Sequence, residues 1–411
     1  MNSVRSVAIL LVASAVAATA QGGANYTAFG LGQQRTTFGA AYEGLGSAAY
    51  AVPSDYLFGL ANPALWPLVK TTRIQGGYRF NQQRIEQGGA VRAQNNGKLD
   101  GAGLLFAIDT SAEIAASIGV FPSSSVNYTS ARRFQITLPD VGVLDGTTTY
   151  RGGGGMTTAY AGIAARIVPG VYAGGALLYG FGLISDQVET SIAAEATQRA
   201  VSTQNDRLST LGGRLGVYAE LSDRLCIGLA GTLFDALQVE RSLHYQSFSP
   251  SSTTPTFDTS FASSLSSPMA ATVGGGITYR VRRWFLTLDG EWSPTSALQY
   301  RYSSLGRAGE SYRLSIAASY RGSRAAGSSF EDRLSVSGGV TMQRLPVVIG
   351  SVPLDEYAAS VGVQIPFGGA AMIDAALIGG FRGNGLPVRE EFLRLSVTLS
   401  VGEVWFIPFR R

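Results

Sequence analysis

One histidine and one cysteine, His244 and Cys226, are the only residues of their kinds in this 411-residue chain. Together they bound the chemistry available. A membrane-wall hydrolase would pair a serine with a histidine, and His244 lies in a polar stretch beside Tyr245 with no partner identifiable in the sequence. It reads as inert surface. One histidine and one cysteine cannot build a His/Cys zinc site, and a lone cysteine has no intrachain disulfide partner. Cys226 sits in an apolar, strand-like stretch and reads as a small buried hydrophobe. Asp100, Asp109, Asp289 and Glu291 could act as paired carboxylates, but the polar lining of a barrel needs such residues without any catalysis. Gly152 to Gly155 is not followed by the Lys-Ser/Thr of a phosphate-binding loop and reads as a flexible loop. We therefore assign no catalytic residue, no metal ligand and no cofactor, and expect no enzyme.

The elements that carry these residues are best seen at the end of the chain. From Glu391 to Trp405, Leu393, Leu395, Val397, Leu399 and Val401 alternate with Arg394, Ser396, Thr398, Ser400 and Gly402. A strand turns successive side chains to opposite faces, so this segment has one greasy and one wet face. The same alternation recurs: Trp284, Leu286, Leu288 and Trp292 oppose Thr287, Asp289 and Glu291, and Tyr357, Ala359, Val361, Val363 and Ile365 oppose Ser360 and Gln364. At the start, Arg5, the apolar run Val7 to Ala18 and Ala18-Thr19-Ala20 have the form of a secretory signal with its cleavage site. The run is too short to span a bilayer, and the mature chain is expected to start at Gln21. No later stretch reaches eighteen uninterrupted apolar residues. In an exported chain, only a closed barrel can then satisfy every backbone group in hydrocarbon. The expected fold is all-β, a transmembrane antiparallel barrel in the outer membrane. A soluble β-sandwich or β-helix would show the same alternation.

Fourteen strands are expected: Thr71 to Phe80, Leu99 to Asp109, Glu113 to Phe121, Gly155 to Val168, Val171 to Asp186, Ser209 to Leu221, Arg224 to Arg241, Met269 to Val281, Trp284 to Trp292, Glu310 to Tyr320, Leu334 to Gln343, Glu356 to Phe367, Ala371 to Phe381 and Glu391 to Phe406. Tight turns such as Pro169-Gly170 and Arg282-Arg283 alternate with long polar connections: 81–98, 122–154, 187–208, 242–268, 293–309, 345–355 and 382–390. Short periplasmic turns and long outer loops alternate in this way, which places both termini on the periplasmic side. The connection from Arg321 to Arg333 is too long for this register, through either a misplaced boundary or an enlarged turn. Aromatic residues near strand ends, among them Tyr78, Phe80, Tyr172, Tyr179, Phe181, Trp284, Trp292, Tyr320, Trp405 and Phe406, suit a water–lipid boundary.

Composition agrees. There are 52 glycines and 15% charged residues, too little charge for a disordered chain. The excess of 32 basic over 28 acidic residues forms no basic stripe with aromatic platforms, so nucleic acid is not an expected partner. Arginines on loops suit lipopolysaccharide phosphates or an anionic ligand.

The segment ahead of the first strand differs. Gly44, Gly46, Ala48 and Ala49 precede an apolar cluster of Leu57, Phe58, Leu60, Leu65 and Trp66, and Pro53, Pro63 and Pro67 prevent one long helix. So apolar a segment must be buried, either as a plug inside the lumen or as a periplasmic arm under the barrel. We divide the chain into 1–20 (signal), 21–70 (hatch) and 71–411 (barrel).

This glycine-rich start, with Gly30 to Gly32, Asp55 and Asn62-Pro63-Ala64, resembles the N-terminal hatch of the FadL-type transporters of long-chain fatty acids and hydrophobic compounds, in the divergent branch of Bacteroidota and related phyla. The resemblance implies a fourteen-stranded barrel with a luminal hatch. It also implies uptake of a hydrophobic small molecule through an internal pocket and a sideways opening at a kink in the third strand. On it, Asn62, Pro63 and Ala64 are hatch residues; Phe58, Leu60, Leu65 and Trp66 are ligand-binding candidates or plug packing; and Phe121 with Pro122 marks the kink or a plain strand end. Two departures stand out. The chain ends Pro408-Phe409-Arg410-Arg411, so the signal read by the barrel assembly machinery falls at Trp405-Phe406 or Phe409, and the outer loops are unlike those of fatty acid transporters. Expected partners are therefore a hydrophobic ligand, outer-membrane lipid with lipopolysaccharide, and that assembly machinery. The alternative function is a structural or secretion-associated barrel that anchors a protein partner.

Overall fold

A computed structural model describes residues 24–138, 142–193, 198–249, 252–303, 305–323, 325, 327–367 and 370–403. The signal segment and Trp405, Phe406 and Phe409 lie outside the described residues.

Fourteen antiparallel strands form the wall: β1 Thr72–Gln87, β2 Ala90–Asp109, β3 in two parts (Ile114–Pro122 and Ser124–Leu138), β4 Gly142–Val168, β5 Val171–Ala193, β6 Gln198–Glu220, β7 in two parts (Leu225–Phe234 and Leu237–Phe248), β8 in two parts (Pro255–Ser267 and Thr272–Val281), β9 Trp284–Ser293, β10 in two parts (Gly306–Ala308 and Ser311–Tyr320), β11 Ser335–Ile349, β12 Val352–Pro366, β13 Met372–Arg382 and β14 Val388–Glu403. Each pairs with the next, and the seam closes where β14 pairs with β1 from Thr72↔Glu403 to Gln87↔Val388. Closure removes sheet edges, which hydrocarbon does not tolerate.

The two faces separate as the alternation requires. On β9, Trp284, Leu286, Leu288 and Trp292 are exposed on the outside, whereas Phe285, Thr287 and Asp289 are buried within. On β14, Leu393, Val397, Leu399 and Val401 face out and Ser396, Thr398 and Ser400 face in. Leu177, Leu215, Leu229, Ile316, Val340 and Val361 continue the outer apolar belt. Such a belt has no place in water. Aromatic pairs rim it: Trp284–Tyr320 on the short-turn side, and Tyr179–Phe181 and Tyr357–Phe381 toward the other. Tyr172 departs from the expected girdle. It is buried and packs on Tyr218 inside the wall.

The long connections are the main correction. Most of 81–98, 122–154, 187–208 and 242–268 is strand. Above the membrane both sheet faces meet water, so no apolar alternation is needed, and the backbone ladder alone continues the strands. The β1–β2 hairpin runs out to Gly88-Gly89, whose φ of +56° and +81° suit the two-residue hairpin turn that twists with its strands. The glycine run at Gly152 to Gly155 is likewise part of β4, not a loop. The connection 321–334 keeps its register. It is an enlarged turn holding a short helix, α1 Phe330–Arg333, with Ser329 accepting the Asp332 N–H at its start.

Candidate functional site in the filled lumen

Residues 24–70 run inside the ring of strands. They form only short helical pieces and one two-residue strand, Gln33–Gln34, so their backbone groups need partners that regular structure does not supply. The inward polar residues of the wall provide them. Asp100 on β2 accepts the Gly39 N–H (3.0 Å), Thr398 on β14 the Ala40 N–H (2.9 Å), and Ser360 on β12 the Gly46 N–H (3.0 Å). Asp289 on β9 accepts from both Ala49 (2.5 Å) and Tyr50 (2.9 Å). Arg214 on β6 donates to the carbonyls of Thr36 (3.0 Å) and Leu60 (2.9 Å). Contacts from strands on opposite sides of the ring place the segment in the lumen rather than beneath it. Of the four carboxylates singled out in the sequence, Asp100, Asp289 and Glu291 face inward and Asp109 lies exposed at the end of β2.

A charged cluster joins this segment to β1, β2 and β14. Glu43 accepts from Arg35 (3.1 Å), from Arg79 and from Ser396 (2.7 Å). Asp100 contacts Arg35 (2.7 Å) and Arg79 (3.2 Å). All four charged groups are nearly or wholly buried, so each depends on the others.

Asn62, Pro63 and Ala64 sit deeper. The Asn62 amide donates to the carbonyls of Tyr50 (2.8 Å) and Val217 (3.1 Å), and its oxygen accepts the Ala64 N–H (3.1 Å), opening a 3-10 turn over Pro63–Leu68. This turn approaches the wall at glycines. A Cβ on Gly216 would stand 2.1 Å from the Asn62 side-chain oxygen, and one on Gly228 would stand 2.0 Å from the Tyr50 carbonyl. Phe58, Leu60 and Trp66 pack with Phe38, Leu105, Phe121, Tyr160 and Leu178, and Trp66 stacks on Tyr160 at 6.2 Å. Leu65 packs with Tyr172 and Tyr218 instead. Of these four, only Leu60 lines a cavity within the lumen.

That cavity, about 160 Å³, has Phe38, Tyr42, Leu60, Phe121 and Leu178 on its apolar side. Arg35, Glu43, Arg79, Arg214, Arg313 and Arg394 supply charge on the other. It extends to Gln33, Gln34, Ser123 and Ser124, where the wall is interrupted.

The interruption lies in β3. Pro122 pairs with Thr157 of β4, and pairing resumes at Val126↔Gly154. Three residues of β3 therefore face two of β4, a bulge. Gly154 and Gly155 make it possible, with φ of +106° and +141°. A Cβ on Gly155 would lie 2.4 Å from the Ser124 carbonyl. On the other side, the β2–β3 ladder stops at Ala102↔Val120. Among the described residues no ladder joins 90–101 to 124–138. Gln33 and Gln34 take the missing strand's place, pairing with Ser125 and Ser124, and the Arg35 N–H donates to the Ser123 carbonyl (2.8 Å). The Arg35 side chain then reaches Asp100 on β2, so the strap is tied to both sides of the gap.

Sequence reasoning did not assign the strap residues Gln33 to Arg35, nor Phe38, Glu43, Arg79 and Arg214. The available signal was the isolated arginine: Arg79 and Arg214 stand on the inward period of apolar strands, where only a paired charge is stable. His244, read as unpartnered, lies on the outer part of β7 with its Nε2 2.5 Å from Asp258 of β8.

Taken together, the closed wall, the outer apolar belt and the occupied lumen define an outer-membrane β-barrel of the FadL-type architecture. The chain belongs to the BamG family, whose sequence model matches residues 3–410. No curated protein matches it. Among solved structures it is similar to a Pseudomonas aeruginosa FadL homologue (TM-score 0.60, 12% identity, 89% of this chain and 98% of that one). It is also similar to the CymD monoaromatic hydrocarbon channel (0.58, 13%, 91% and 99%) and to the Pseudomonas putida toluene transporter TodX (0.55, 13%, 91% and 100%). At these identities the likeness is one of fold.

Proposed function

We propose that this barrel passes small hydrophobic compounds, long-chain fatty acids or aromatic hydrocarbons among them, from its outer mouth to a sideways exit in the wall. The observation that carries this reading is the β3 break, where the internal cavity meets a gap in the ladder that the strap Gln33–Gln34 spans. An apolar solute gains by leaving water for lipid, roughly 25 cal/mol per Å² of apolar surface, so a route opening sideways needs no other driving force. In this reading Asn62, Pro63 and Ala64 anchor the inner segment as a hatch, Phe121 and Pro122 stand just past the end of the β2–β3 ladder and before the bulge, and Leu60 with Phe38 and Phe121 offers the apolar surface. Phe58, Leu65 and Trp66 serve as packing beneath it. The names of the similar structures, channels for hydrocarbons and toluene, support a hydrophobic cargo.

A reversible lock tests this. Gln34 and Ser124 are paired residues, within the Cα spacing that a disulfide accepts. In a Cys226→Ala background, oxidised Gln34→Cys/Ser124→Cys protein in liposomes is expected to lose uptake of labelled oleate or toluene, and reduction to restore it. Uptake indifferent to the lock sinks the sideways route.

The second reading is a barrel that anchors a protein partner, and the family name BamG points toward the barrel assembly machinery. The buried ion pairs that tie the strap to the wall favour it, since they hold the gap shut. It predicts no uptake in either redox state and a fixed partner retained through purification.

A further inference from the structure

We propose that solutes dissolved in the outer leaflet enter the lumen through a slot between β7 and β8. This rests on the reading of a hydrophobic cargo and gives that cargo an entry separate from the gap beside β3. The β7–β8 ladder runs up to Thr232↔Thr272 and resumes at Leu237↔Ser267. Between these pairs lie Leu233 to Ala236 on β7 and Pro268 to Ala271 on β8, four residues on each side, and the register is the same above and below them. A bulge would shift the register, so here the strands part and rejoin. Among the described residues no backbone hydrogen bond crosses the opening. At a strand rise of about 3.4 Å per residue it is about 17 Å long. Each side is tied away from the other. On β7, the Asp235 N–H donates to the Leu211 carbonyl of β6 (2.7 Å), and the Asp235 carbonyl accepts from the Thr210 hydroxyl (3.0 Å). On β8, Pro268 has no N–H to offer, and the Ala271 carbonyl accepts from the Ser293 hydroxyl at the end of β9 (2.9 Å). Apart from Asp235, the residues of the slot are apolar. Leu233 faces the outside, 68% exposed, while Phe234, Met269 and Ala270 line the internal cavity. Phe234 packs against the cluster that holds Phe38, Leu60 and Leu178, and Met269 against the one that holds Leu31 and Leu298. An apolar path therefore runs from the outer belt to the cavity.

Two further features favour a solute that comes from the membrane over one that comes from water. The first is height. Leu211, the neighbour of Asp235, pairs with Tyr179 of β5, and Val273, just below the slot on β8, pairs with Trp292 of β9. Tyr179 and Trp292 are both exposed on the outer wall, and aromatic residues there mark the lipid–water boundary. The long hairpins rise above this level, so the boundary is that of the outer leaflet. The second is a cap. Residues 295–303 cross the outer end of the lumen, and Leu298 closes on the cavity. Tyr300 donates to Asp206 of β6 (3.0 Å), and Arg301 to both oxygens of Asp186 of β5 (2.7 and 2.9 Å) and to the Gly30 carbonyl (2.9 Å). Tyr302 reaches across to the Pro346 carbonyl of β11 (2.6 Å). The cap meets β8 at Ser267, where the Gln299 N–H reaches the serine hydroxyl (3.1 Å). The slot begins just below that residue. A solute already in the bilayer thus reaches the cavity without displacing the cap, whereas one arriving from water must break these bonds.

The test uses the whole chain in liposomes with Trp66 as reporter. Trp66 is buried in the cluster whose Phe38, Phe121 and Leu178 line the cavity, and Trp284→Phe/Trp292→Phe/Trp405→Phe leaves it as the one tryptophan. Dibromostearate carried in the bilayer quenches a tryptophan only at close range, so its arrival in the cavity is read as the rate of Trp66 quenching. In this parent, Ala270→Phe fills the slot. Forcing a chain past an extra ring carries an overpacking cost, so the rate is expected to fall at least about fivefold. Leu229→Phe, on the outer face of β7, is expected to leave the rate unchanged, and so is the oxidised Gln34→Cys/Ser124→Cys lock in the Cys226→Ala background. Should Ala270→Phe lose the heat-modifiable migration of a folded barrel, Ala270→Leu takes its place with the same expected direction. The proposal is overturned by equal rates in the parent and the slot variant, by an equal fall in Leu229→Phe, or by no quenching in the parent. A rate that falls with the β3 lock and not with Ala270→Phe overturns the slot and leaves the sideways route at β3 standing. A rate that falls with Ala270→Phe supports the slot even where the β3 lock proves to have no effect on uptake.

Discussion

Replacing Asp100 with asparagine should release the strap without unfolding the barrel. The Asp100 side chain is fully buried. One oxygen holds the Gly39 N–H at 3.0 Å, and the other faces Arg35 at 2.7 Å and Arg79 at 3.2 Å. Asparagine is nearly the same shape and keeps an acceptor for Gly39, so the change removes charge and little else. Arg35, Arg79 and Arg394, now balanced in part by Glu43 and Asp100 together, would be left with Glu43 alone. Removing one partner of a buried ion pair costs about 3–5 kcal/mol. At 1.4 kcal/mol per factor of ten, local opening of residues 33–46 should become roughly 10²- to 10⁴-fold more frequent. The seam is untouched, because the β14–β1 ladder runs over sixteen pairs that do not use this side chain. Hydrogen exchange on the detergent-solubilised protein reads both quantities. Peptides covering 33–46 should exchange faster by that factor, while those of β1 and β14 stay protected and heat-modifiable migration persists. Adding Arg79→Gln restores the charge balance in part, so the double variant should open less than the sum of the two single effects. Unchanged exchange in 33–46, or a loss of protection spread over the whole wall, would refute the claim that this cluster holds the strap.

Other outcomes follow from particular contacts. Gly228→Ala places a Cβ 2.0 Å from the Tyr50 carbonyl. The clash should cost about 1–3 kcal/mol, appearing as protease cleavage near residues 50–62 in a barrel that still migrates as folded. On the outer part of β7 and β8, hydrogen bonds from His244 and then Gln246 hold the Asp258 carboxyl below its ordinary value. A depressed carboxylate pKa gives stability that is present above the unfolded value, about 3.9, and is lost as pH falls through the folded one. Hydrogen exchange in residues 237–267 should therefore rise below about pH 4, and that acid-induced rise should be smaller in His244→Ala, where the largest cause of the depression is gone. An identical pH profile in that variant would show the pair to be idle.

How far the sequence was legible depended on where each strand lies. Where lipid touches one face and the filled lumen the other, as in β9 and β14, alternation is compulsory and all fourteen strands came out in order. In the outer parts of β1 to β8 that constraint ends. Asn81 to Lys98 and Gln187 to Leu208 looked like polar loops because nothing there had to be apolar, yet backbone pairing continued through them. Gly152 to Gly155 misled for a related reason. Glycines that suit a flexible loop also suit a strand that must accept the bulge at Ser123 to Ser125.

The amino-acid order by itself determined a closed wall with a greasy exterior, its strand count, its sidedness and an apolar leading segment that needed burial, because each follows from a local period or from the length of a run. Which wall residues grip that segment was settled only by folding. Asp100 and Arg35 are far apart in the chain, and so are Asn62 and Gly228. Their meeting depends on the shear of the sheet and on the path of a segment with no period of its own. The gap beside β3 belongs to the same category: no stretch of sequence announces a ladder that two neighbouring strands fail to make.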